Sequence, residues 1–186
     1  MLDSSPPDLV QAHAPRIHLA SPADVPFIVD AIVAESRHGH FACDCTRADV
    51  LRGLWHQVST IVADGVAPLP GARDGVGARA FVVQAGQANA GFAILAEHAP
   101  GSWYERLELF ALAARADRRR HGLASHLVRS LVREARSAAV YARCGPASTG
   151  MVAMLRSCGF SPASAAGTVA DGTVTLEILQ APPSAG

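Results

Sequence analysis

The chain has 186 residues, with 16 Arg, 16 Asp or Glu, 8 His and no Lys. That length fits one domain, and 49% hydrophobic against 17% charged residues supplies a sizeable core and excludes global disorder. Without Lys there is no pyridoxal Schiff base, no lysine nucleophile and no Walker-type phosphate loop. The balanced charge removes the electrostatic case for nucleic acid or an anionic membrane surface. Four Cys are too few for a disulfide scaffold. The N-terminal residues lack the basic start and apolar run of a signal peptide, and no stretch reaches the roughly 18 apolar residues of a membrane span. A cytoplasmic, soluble protein without nucleic-acid or membrane partners is expected. No internal repeat is visible.

Residues 1–15 are rich in Pro, Ser and Asp and read as a flexible arm, residues 16–180 as the folded domain, and residues 181–186 as a flexible tail. Arg16–Ala20 alternates like a strand. Ser21, Pro22 and Asp24 then supply an N-cap, a first-turn proline and an acidic first turn for a helix ending near Arg37. A second helix is predicted from Thr46, with Asp49 three residues on, burying Val50, Leu51, Leu54, Trp55, Val58, Ile61 and Val62. Residues 64–78 read as a long flexible connection. Two strands, near Arg79–Gln84 and Gly91–Glu97, are joined by a Gly/Asn turn typical of a hairpin.

Arg106–Ala114 reads as a buried strand with Leu107, Leu109 and Ala111 on one face and Glu108, Phe110 and Leu112 on the other. A strongly amphipathic helix follows from Leu123, with Arg129, Arg133 and Arg136 on its wet side. Ala139–Cys144 is another strand. Thr149–Cys158 is a short helix that Gly159 ends as a left-handed cap. A last hairpin is predicted between Phe160 and Gln180. The whole is a mixed α/β domain around one sheet.

The turn Arg119-Arg120-His121-Gly122-Leu123-Ala124 joins a strand to a helix. Free backbone N–H groups and the positive end of the helix dipole at such a junction form a phosphate site. Gly122 and Ala124 leave room for a bulky anion. Residues 106–136 add eight Arg against three acidic residues, a local net charge of +5. A solvated Arg turn in which Gly122 merely starts the helix fits the same residues.

Arg119, Gly122 and Ala124 fall on the pattern R/Q-x-x-G-x-G/A, and the segment from Ser148 to Phe160 is a short helix ending in Gly-Phe. With this order of elements from about Arg16 to Gln180, the chain resembles the GNAT superfamily of acetyl-CoA-dependent N-acetyltransferases. The resemblance implies a mostly antiparallel sheet of about seven strands with a splayed parallel pair, flanked by about four helices. It implies acetyl-CoA as cosubstrate, with the pyrophosphate held by Arg119 and the amides of Arg120, His121, Gly122, Leu123, Ala124 and Ser125. The pantetheine arm would pair with Leu112, Ala113 and Ala114, an N–H near Leu112 would stabilise the oxyanion, and Ser148 would touch the cofactor. The implied reaction is direct acyl transfer to a primary amine of a small molecule in a ternary complex. A homodimer is common in the family.

Departures from the family pattern affect proton transfer. The position of the usual tyrosine acid is Leu155, that of a cofactor-touching Asn is Ser148, and a frequent base position is Phe110. Glu108 or an ordered water is therefore expected as base, with Tyr141 as acid or Cys158 near the thiolate, or the thiolate leaving unassisted. These departures also fit an alternative, a non-catalytic acyl-CoA-binding sensor or interaction module.

His38, His40, Cys43 and Cys45 are all zinc-ligand types, but their H-x-H and C-x-C spacing departs from familiar structural sites, so no metal is expected. The resemblance implies that the connection between the first two helices lines the acceptor site, which makes Glu35, His38, His40 and Asp44 candidates for contact with the acceptor; exposed loop polars fit the same residues. His126 reads as a surface residue; Trp55, Trp103 and Tyr104 read as core or rim aromatics; Cys144 and Cys158 read as small apolar groups. No Gly-x-Ser-x-Gly elbow is present, and no G-x-G-x-x-G follows a strand.

Overall fold

A computed structural model describes residues 14–41, 44–68, 75–97, 106–135, 138–163 and 172–179. Most of the expected arm, the tail, Cys43, Trp103, Tyr104 and Arg136 lie outside these residues. The elements in chain order are β1 (Arg16–Leu19), α1 (Val25–Ser36), α2 (Ala48–Asp64), β2 (Val66–Ala67), β3 (Val76–Ala85), β4 (Ala88–Glu97) and β5 (Arg106–Ala114). They continue with α3 (Leu123–Glu134), β6 (Ala139–Cys144), α4 (Thr149–Ser157), β7 (Ser161–Pro162) and β8 (Val174–Ile178). The strands form one sheet in the order β1-β3-β4-β5-β6-β8-β7, with β2 added to β3. All neighbours are antiparallel except β5 and β6, which are parallel.

Alternation along the central strands sends side chains to two cores. On one face Val82, Phe92, Ile94, Ala111 and Ala113 pack under α1 and α2. On the other, Val83, Ala93, Leu95, Leu112, Val140 and Leu176 pack under α3 and α4. The wet stripe of α3 carries Arg129 and Arg133, while Leu127, Val128 and Leu131 are buried. Gly159, at φ +97°, ends α4 as the sequence requires.

Local polar chemistry moved several expected boundaries. Pro22–Asp24 form a single 3₁₀ turn, and α1 begins at Val25. Asp24 accepts from the Ser21 amide and hydroxyl at 2.9 and 2.8 Å and from Asn89 Nδ2 at 2.8 Å. Burial pulls its carboxyl upward, but these bonds and one from His18 outweigh it and hold the pKa down at about 2. The second helix starts at Ala48 and not at Thr46, because the amide and hydroxyl of Thr46 donate to Asp44 and turn the chain there. The connection at 64–78 is partly a sheet element: Val66 and Ala67 pair with Gly77 and Val76, so β3 begins three residues earlier than expected. Residues 69–74 lie outside the described ones.

Candidate active site

β5 and β6 pair only from Arg106 opposite Ala139 to Glu108 opposite Tyr141. Both strands run on, to Ala114 and Cys144. Beyond the last pair a cleft of about 320 Å³ lies between them, walled by residues 109–114 of β5 and 142–144 of β6, with Met151, Met154 and Leu155 of α4 beside it. A bulge accompanies the opening. Leu95 faces Leu109 and Ile94 faces Ala111, so Phe110 has no cross-strand partner and is 39% exposed in the cleft wall. The bulge also corrects the expected alternation. Leu109 and Leu112 share the core under α3, whereas Ala111 belongs to the opposite core. Apart from Phe110, residues 109–114 pair with β4 along one edge and turn the other toward the cleft, where their main chain is available to an extended ligand.

The start of α3 lies beside this edge, and Ala124 lines the cleft. Its N-cap, Gly122, adopts φ +75° and has no side chain with which to satisfy the first turn. The His126 N–H reaches the Gly122 carbonyl at 2.8 Å, so the amides of Leu123, Ala124 and Ser125 have no carbonyl partner inside the helix. Nothing lies within 4 Å of the place a Gly122 Cβ would take. Arg120 is also left-handed, at φ +63°. Uncapped amides, open space and a positive helix end fit a phosphate. From Gly122 and Ser125 a shallower groove of about 580 Å³ continues past His126, Arg129 and Arg133 to Cys158.

The other rim is built at the end of α1. Glu35, His40, Arg119 and Ser148 all line the cleft. The Arg119 guanidinium bonds Glu35 Oε1, and His40 Nε2 stands 3.9 Å from Glu35 Oε2. His40 Nδ1 lies 3.4 Å from the hydroxyl of the buried Ser148, which the helix-capping geometry of α4 does not use. His38 is exposed, its ring 6.3 Å from that of His40, and it does not reach the cleft wall. His121 is exposed in the turn. Asp44 is also exposed, and the Thr46 hydroxyl and amide hold its carboxyl below the usual range. Cys45 is buried in the core under α1 and α2.

Glu108 and Tyr141 are brought together, but with each other and at the closed end of the cleft. The Tyr141 hydroxyl donates to Glu108 Oε2 at 2.9 Å, and Arg143 donates to both carboxylate oxygens at 2.7 and 3.2 Å. Arg106 bonds Glu177 at 3.0 Å and lies over the Tyr141 ring at 4.9 Å. Burial, with the Glu108 charge and hydrogen bond, pushes the Tyr141 hydroxyl up to about 12. Neither residue lines the cleft, and the Tyr141 hydroxyl and the Glu108 carboxylate are engaged with each other and with Arg143. Leu155 is fully buried and offers no proton. Cys158 belongs to the second groove, with its Sγ 4.0 Å from the Ser125 carbonyl. Phe41 and Arg143 also line the cleft, and no sequence pattern marks them, since each arrives there through contacts distant in the chain.

The sheet is thus split at one parallel pair beside an uncapped helix N-terminus. The sequence model of the acetyltransferase (GNAT) family matches residues 59–160, more than half of the chain. The chain belongs to that family. Among solved structures it is similar to spermidine N-acetyltransferase from Vibrio cholerae in complex with CoA and spermine, with 15% identity over 89% of this chain and 95% of that one and a TM-score of 0.63. It is similar also to a ribosomal-protein-alanine N-acetyltransferase from Brucella melitensis, with 16% identity, 89% and 99% coverage and a TM-score of 0.64. A third similar structure is histone acetyltransferase HPA2 and related acetyltransferase from Corynebacterium glutamicum, with 19% identity, 92% and 99% coverage and a TM-score of 0.64. At these identities the likeness speaks for the fold. No curated protein matches the chain in sequence. No helix among the described residues is long and apolar enough to cross a membrane.

Proposed function

We propose that the protein transfers an acetyl group from acetyl-CoA to a primary amine of a small molecule, by direct attack within a ternary complex. The observation that carries this reading is the cleft between β5 and β6 opening directly beside the uncapped start of α3. When bound, acetyl-CoA supplies an acyl group activated as a thioester. Arg119 and the amides of residues 120–125 hold the pyrophosphate, and the groove past Arg129 and Arg133 takes the nucleotide end. Leu112, Ala113 and Ala114 offer their open edge to the pantetheine arm, with Ser148 opposite. An N–H near Leu112 polarises the thioester carbonyl.

The amine enters beside Glu35 and His40. The carboxylate attracts the ammonium, and the imidazole accepts its proton. His38 stands at the outer rim of this approach. Glu108 and Tyr141 act as positioning residues that hold the two strands together at the vertex. With Leu155 at the wall, the thiol leaves as thiolate, which an ordinary thiol pKa of about 8.5 permits. The polyamine named for the Vibrio cholerae relative supports a small amine as acceptor.

The test is thermal melting with and without saturating acetyl-CoA, with a free adenine nucleotide as control, followed by thiol release with spermidine and other small amines. Ligand at about 100 times its Kd adds roughly 2.7 kcal/mol, a rise of several degrees. An unchanged Tm with acetyl-CoA would overturn the reading.

A further inference from the structure

The two halves of the proposed reaction are wired to each other through one ion pair. Arg119 belongs to the turn that precedes α3, and Glu35 to the last turn of α1, 84 residues earlier. Their side chains meet across the cleft that both line. Glu35 is 14% exposed and Arg119 is 45% exposed, so the carboxylate is the sheltered partner and the guanidinium the one that solvent and ligands reach. The other side chain described beside Glu35 is His40, whose Nε2 stands 3.9 Å from Oε2.

The Arg119 Nη2 group that bonds Glu35 cannot at the same time serve a phosphate with full strength. A pyrophosphate has the advantage in this competition. It carries more negative charge than a carboxylate, and the uncapped amides of α3 bind it as well, whereas Glu35 sits on another helix.

We propose that Glu35 and Arg119 form a latch that the cofactor opens: in the free protein Arg119 holds the acceptor-side carboxylate, and the pyrophosphate takes Arg119 and releases Glu35 to receive a cationic amine. This rests on the acyl-transfer reading above. It makes the cleft rim electrically neutral before the cofactor binds and negative afterwards, so an ammonium is attracted only to the loaded protein. The coupling is reciprocal, because an ammonium on Glu35 removes the competitor of the phosphate. A rigid bracket, in which Glu35 merely aims Arg119 at the phosphate, predicts the opposite sign for loss of the carboxylate.

Calorimetric titration of the full chain with CoA separates these cases, using the wild type, Glu35→Gln, Arg119→Ala and the double variant, each checked for an unaltered melting transition. The latch predicts about two- to five-fold tighter CoA binding by Glu35→Gln, the range of a partly exposed ion pair, and no gain from the same change in the Arg119→Ala background. Weaker binding by Glu35→Gln overturns the latch in favour of the bracket. A gain that persists without Arg119 overturns it in favour of simple repulsion between Glu35 and the phosphates. Failure of the wild type to bind CoA overturns the acyl-transfer reading, and the latch with it.

Discussion

Two carboxylates flank the cleft, and they differ in how many donors each one holds. Glu108, at the vertex, accepts from Tyr141 and twice from Arg143, and this network ties β5 to β6 where they last touch. Glu35, at the rim, has one guanidinium from a turn on the far side of the cleft and an imidazole just beyond hydrogen-bond reach. A carboxylate that accepts three bonds from two residues is a brace, because exchanging its partners would break all three at once. A carboxylate with one exposed partner is free to trade it. On the proposed function, the chemistry falls to the rim and the positioning to the vertex.

The largest effect expected from breaking this contrast is on stability at the vertex. Glu108→Gln keeps the shape but loses the charge that both Tyr141 and Arg143 address. Because Arg143 is 59% exposed, the cost is modest, about 1 to 2 kcal/mol, or a Tm lower by about 2 to 6 °C. Turnover with a responsive amine should stay within about three-fold of the wild type. A hundredfold loss of kcat at unchanged Tm would return the role of base to Glu108. Glu35→Gln should show the reverse profile, with Tm within about 1 °C of the wild type and the KM for amine raised.

Asp24 sharpens the comparison as a third carboxylate, fully engaged and remote from the cleft. Its folded pKa of about 2 lies below the ordinary 3.8, so its contribution is complete above about pH 4 and is lost as the pH falls toward 2. That contribution is about 1 to 2 kcal/mol after allowance for solvent screening. Comparing acid unfolding of the wild type and Asp24→Asn checks it, since the variant should lose less stability over that interval.

The smallest effect is spectroscopic. Tyr141 should ionise near pH 12, and difference titration against Tyr141→Phe isolates its signal. The raised value means that its stabilising contribution holds below pH 10 and fades as the pH rises through 12. In Glu108→Gln the ionisation should move down, because the neighbouring negative charge is gone. A midpoint near 10 in the wild type would show that the vertex network is open.

The strand, turn and helix from Arg106 to Glu134 were legible in the sequence because every feature that defines them is local. Apolar alternation, Gly122 at a left-handed position and the period of α3 each lie within a few residues of one another. The family pattern at Arg119, Gly122 and Ala124 was readable for the same reason. What the tertiary structure alone decided was which side chains face one another. The bulge at Phe110 reverses the faces of all later β5 residues, and no single-strand pattern carries the register that creates it. The parallel crossover sets Tyr141 and Arg143 on Glu108, and the fold of α1 onto the sheet brings Glu35 to Arg119. Such contacts depend on how the cores on both faces pack, so the sequence determined the strand, turn and helix that carry the family pattern, while the tertiary structure decided which partners each carboxylate meets.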